Sequence, residues 1–100
     1  MDTTLKEAYV AIFGRDPPAS TEDWQLADTI IENWDVPKIG ENSAKQVIFR
    51  VVNHTHYPDN STSQRVLGRA LAFATELWND LPDEPHVAQI EYKEFKDLGR

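Results

Sequence analysis

The sequence predicts an all-α fold: a compact single-domain bundle of about five helices occupying residues 1–100. Three observations point there. Apolar residues recur at i, i+3, i+4 and i+7 in successive segments, the spacing that puts them on one helical face. Pro and Gly fall between those segments as punctuation, with no internal repeat or low-complexity stretch. One stretch alone has strand-like β-branched content, and a strand needs a partner that no second clean candidate supplies. A chain of 100 residues, 40% of them hydrophobic and three of them Trp, builds one core and not two.

The first helix is expected over about Thr4 to Phe13, where Leu5, Ala8, Tyr9, Ile12 and Phe13 share a face. Gly14 stands at its C-terminal cap, and Arg15-Asp16-Pro17-Pro18 stops it. The second starts near Ser20 or Thr21, either of which can cap free amides, with Glu22 and Asp23 in its positive first turn. Trp24, Leu26, Ala27, Ile30, Ile31 and Trp34 form its apolar set, and Pro37 and Gly40 end it.

The third segment, Lys45 to Val52, is the β-branched one. Ala44, Val47, Ile48, Val51 and Val52 nevertheless follow the helical template, with Asn42 or Ser43 as cap, so helix is expected over strand. After the loop from Pro58 to Ser63 comes the strongest helical pattern, about Ser63 to Asn79. Its apolar residues from Val66 to Trp78 cover about half the circumference, the mark of a central helix touched from several sides. A fifth helix is expected over His86 to Leu98 with Pro85 as its first residue; Ile90 to Lys93 reads alternatively as a short strand.

Composition narrows the function. A net charge of -7 argues against direct binding to nucleic acid or an anionic membrane. The absence of Cys removes disulfides, thiolate chemistry and zinc fingers. No apolar run reaches the roughly 18 residues of a membrane span, and Met1-Asp2-Thr3-Thr4 lacks the form of a signal peptide. A soluble cytoplasmic domain is therefore expected.

No phosphate-binding loop, nucleophile elbow or His-Glu-x-x-His motif appears, so neither an enzyme nor a cofactor is expected. His54 and His56 lie about 200° apart on a helix, too far round to chelate one ion, and favour the negative end of the third helix instead. No metal site is expected from them.

Charge is segregated along the chain. From Asp16 to Asp35 the acids are Asp16, Glu22, Asp23, Asp28, Glu32 and Asp35, with no Lys or Arg between Arg15 and Lys38. From Ala44 to Thr75 the balance is basic, through Lys45, Arg50, Arg65 and Arg69, and from Glu76 to Asp97 it is acidic again. Asp28, Glu32 and Asp35 are spaced i, i+4 and i+7, within about 60° of one another on a continuous helix. Such a ladder can occupy positions that hold successive phosphates on a basic surface. Trp24 lies at the edge of the same strip as a possible anchor. The plain alternatives are a solvated surface, and salt bridges from Arg50, Arg65 and Arg69 to neighbouring helices.

Small size, acidity, absence of Cys and the acidic runs Asp16 to Asp35 and Glu76 to Glu84 resemble the small inhibitors of phages and mobile elements. Among these the chain is similar to anti-CRISPR proteins, in particular those acting on type I-F surveillance complexes. The likeness lies in overall character and matches no motif, so no functional residue is carried over from it. It implies a bacterial host cell and binding to a CRISPR effector complex where target DNA enters, blocking the DNA.

The sequence therefore leads us to expect a non-enzymatic inhibitor or adaptor. Its acidic face, Trp24, Asp28, Glu32 and Asp35, would bind a protein partner with a basic, nucleic-acid-handling surface. The alternative is a helical regulatory module or homodimer that uses an apolar face.

Overall fold

A computed structural model of the chain describes residues 3–81. Within them run five α-helices, α1 (Leu5–Phe13), α2 (Asp23–Glu32), α3 (Val36–Ile39), α4 (Glu41–Asn53) and α5 (Ser61–Leu77), followed by a 3₁₀ turn over Trp78–Asp80. No strand occurs among the described residues, and the fold class is all-α as the periodicity predicts. The five helices are not the five expected, however. α3 is additional, and the segment His86 to Leu98 lies outside the described residues.

Local chemistry sets each boundary. Thr4 opens α1 with a reciprocal cap: the Glu7 amide donates to Thr4 Oγ1 at 3.1 Å, and the Thr4 amide donates to Glu7 Oε1 at 2.9 Å. Gly14 closes α1 in the left-handed region at φ 72°, where a Cβ is costly. The cap of α2 is Glu22 rather than Ser20 or Thr21; its amide donates to Gln25 Oε1 at 2.9 Å. At the other end the Asn33 side-chain amide donates to the Thr29 carbonyl at 2.9 Å beside the Asn33 backbone amide at 3.1 Å, and Asn33 caps α2.

Pro37 was expected to end α2 and instead sits in the first turn of α3. There its missing N–H costs nothing, and the Asp35 carboxylate accepts the Lys38 amide at 3.0 Å. Gly40 then turns the chain into α4 with φ 102°, a conformation side-chain-bearing residues rarely adopt.

The third expected segment is helical, as α4, despite its Val and Ile content. Its burial explains the choice. Ala44, Lys45, Gln46, Val47, Ile48, Phe49, Val51 and Val52 are all buried, nearly the whole circumference. α4, not α5, is thus the central helix; α5 buries Ser63, Val66, Ala70 and Ala74 along one stripe. α5 starts at Ser61, with Asn60 Oδ1 accepting the Ser63 amide at 2.9 Å.

Two hydrophobic clusters share α4. One joins Leu5, Ala8, Tyr9 and Ile12 of α1 to Leu26, Ala27 and Ile30 of α2, with Ile39 of α3, Val47 and Val51 of α4 and Ala70 of α5. The other joins Ala44, Ile48, Phe49 and Val52 of α4 to Ala74 of α5, Trp78 and Leu81. Trp34, in the link after α2, packs against both and meets Phe73 of α5 edge-on at 5.7 Å. This packing lays α2 along α5, which determines what the acidic face meets.

Candidate functional site

The acidic face of α2 is the candidate surface to which the sequence points. Its backbone ends at Glu32, so the ladder is not continuous. Asp28 and Glu32 sit one turn apart on α2, whereas Asp35 lies beyond Asn33 with extended backbone and caps α3. The expected i, i+4, i+7 alignment of three acids on one helix is therefore corrected to two plus one.

Asp28 and Glu32 face α5. Arg69 spans the gap, its Nη2 2.7 Å from Asp28 Oδ1 and its Nη1 3.3 Å from Glu32 Oε1. One guanidinium thus holds two carboxylates through separate nitrogens, the forked geometry that Arg provides and Lys cannot. Arg69 realises the plain alternative for that residue, a salt bridge to a neighbouring helix. The strip is not a bare row of carboxylates.

The clamp is unevenly buried. Arg69 and Glu32 side chains are 50% and 56% exposed, Asp28 only 28%. Burial raises the Asp28 carboxyl above its usual range; Arg69 pulls it down and Glu32 pushes it up again. Behind it lies Tyr57, whose hydroxyl donates to the Val51 carbonyl at 2.7 Å. Burial, and then the neighbouring Asp28 charge, push that phenol above its usual range. Tyr57 stays protonated and serves as a donor tying the chain after α4 back to the helix.

Trp24 is partly exposed in the first turn of α2, and its indole N–H donates to Glu22 Oε2 at 2.8 Å. With exposed Glu22 and Asp23 it forms the N-terminal part of the acidic face, where the helix dipole favours negative charge. The sequence already places Glu22 and Asp23 in the positive first turn of the second helix, within the acidic run, but not in the partner-binding set.

The basic stretch does not assemble into a surface. Lys45 is 4% exposed with its ammonium 4.6 Å from the Trp78 ring centre, and Arg69 is engaged by α2. Arg50 is partly buried, lining a cleft of about 240 Å³ with Lys6, Asp23 and His54 between the ends of α1, α2 and α4. His54 caps the C-terminus of α4 with its ring 5.3 Å from Phe49, and His56 is exposed. Among the described residues no group of three or more potential metal ligands converges, and no helix is long and apolar enough to cross a membrane.

No protein-family model, curated protein or solved structure matches the chain.

Proposed function

We propose that this chain is a non-enzymatic binding module that presents the acidic face of α2 to a basic, nucleic-acid-handling surface of a protein partner in a bacterial cytoplasm. An anti-CRISPR inhibitor that occludes a DNA entry path fits this description. One observation carries the reading: the outer face of α2 and its N-cap bring Glu22, Asp23 and Glu32 to solvent with partly exposed Trp24 among them, and α2 itself carries no Lys or Arg. An ordinary surface helix mixes signs. Uniform sign costs helix stability and gains complementarity to an opposite charge.

The apolar-face alternative has less behind it. Among the described residues the exposed large hydrophobic side chain is Val10, at 37%, and one such side chain does not make an interface. A homodimer through apolar contact would persist in high salt, while acid-to-base recognition weakens as charges are screened.

The test is capture from the native host with the wild-type chain and with a double charge reversal, D23K/E32K. These positions leave the Asp35 cap and the Glu22 cap intact. We expect a nucleic-acid-handling protein in the wild-type capture, lost at high salt and lost with the variant, while circular dichroism shows unchanged helicity. Equal recovery by both chains would rule out the acidic face.

A further inference from the structure

Arg69 does more than join two helices. It approaches from α5 and sets its guanidinium between Asp28 and Glu32, the place a basic partner's own side chain would take. Two carboxylates share this one cation, so the group retains negative charge. Both Arg69 and Glu32 are about half exposed, and an ion pair at that exposure is exchangeable because water and salt compete with it. Tyr57 also lies near Asp28, with its hydroxyl engaged by the Val51 carbonyl, and among the described residues Arg69 is the counterion of the pair.

We infer that Arg69 is an internal competitor: its side chain occupies the Asp28–Glu32 pair in the free protein, and an arginine or lysine of a basic protein partner displaces it on binding. The inference rests on the acidic-face reading proposed above and adds a regulatory contact to it. Affinity is then lowered in the free chain by the strength of the internal pair. Specificity rises with it, because a partner must offer a cation well placed enough to replace a forked one.

The experiment titrates the full chain with a short arginine-rich peptide by calorimetry at low and high salt. Removing Arg69 as R69Q, or as R69M to keep the apolar stem, should tighten binding up to about fivefold at low salt, the range an exposed pair spans. The control is R65Q, which removes the same charge from an exposed position one turn away on α5. It should give a smaller gain, reflecting net charge alone. In the triple variant D28N/E32Q/R69Q the gain should vanish. Wild-type binding with no gain in R69Q and R69M, or an equal gain in R65Q, overturns the competitor while leaving the acidic face standing. If neither the wild type nor any variant binds the peptide at low salt, the acidic-face reading itself fails. Thermal melts of each variant confirm that the folded chain is what is titrated.

Discussion

At the scale of single residues, Asp28 and Arg69 are unequal partners. Burial opposes the Asp28 charge more strongly than Arg69 supports it, so the carboxyl sits above its usual value of 3.8. The fold therefore binds a proton at Asp28 more readily than the unfolded chain does. Over the window just above 3.8, Asp28 makes stability fall as pH rises, until its raised folded value is passed. Glu7 does the opposite: its capping bonds with Thr4 lower its carboxyl, so its contribution is present above the ordinary glutamate range and is lost as pH falls through the lowered value. Acid titration of stability followed by circular dichroism separates the two. Asp28→Asn should flatten the rise on acidification, and Glu7→Gln should remove the loss. Arg69→Ala leaves two carboxylates one turn apart without their shared cation. It should lower stability by about 0.5–1 kcal/mol, the upper range for an exposed pair, and more than Asp28→Asn does.

At the scale of elements, glycine and proline decide the boundaries that periodicity leaves open. Gly40 and Gly68 make opposite predictions. Gly40 has φ 102°, and although nothing lies within 4 Å of an added Cβ, Gly40→Ala should cost about 1–3 kcal/mol through backbone strain alone. Gly68 is exposed inside α5 with equally open surroundings, and Gly68→Ala should stabilise by about 0.5–1 kcal/mol by restoring helix propensity. Urea midpoints at constant slope measure both. The same residues show what the sequence could reveal. Apolar spacing located α1, α2, α4 and α5, because each buries a stripe that recurs with the helical period. It did not reveal α3, whose four residues are too short to show a period and depend on one cap, Asp35. The same stretch of chain removed Asp35 from the acidic ladder: α2 ends at Glu32 with Asn33 as its cap, an end that no periodicity encodes. Arg69 was visible as a candidate for a salt bridge, but its partners follow from how α2 lies on α5, which is a tertiary fact.

At the scale of the whole molecule, α4 supplies more side chains to the two hydrophobic clusters than α5, which reaches them through Ala70 and Ala74. Val47 and Val51 face the α1–α2 side, and Ile48 and Val52 face the side closed by α5, Trp78 and Leu81. Adjacent residues on one helix thus belong to different clusters, and losing either cluster strips one face of the helix that organises the other. Val47 and Ile48 are both fully buried, so truncation leaves a cavity with little room to relax. Ile48→Ala should cost about 2–5 kcal/mol and Val47→Ala somewhat less, since fewer methyl groups are removed. The informative quantity is the shape of the transition. If α4 couples the clusters, each variant unfolds in one transition with an unchanged denaturant slope, and tryptophan fluorescence, recorded in a Trp24→Phe background so that it reports on Trp34 and Trp78, coincides with helix loss by circular dichroism. Two separated transitions, or a lower slope in one variant, would mean that the clusters melt independently. The α2–α5 geometry that places Arg69 between Asp28 and Glu32 would then rest on one half of the core alone.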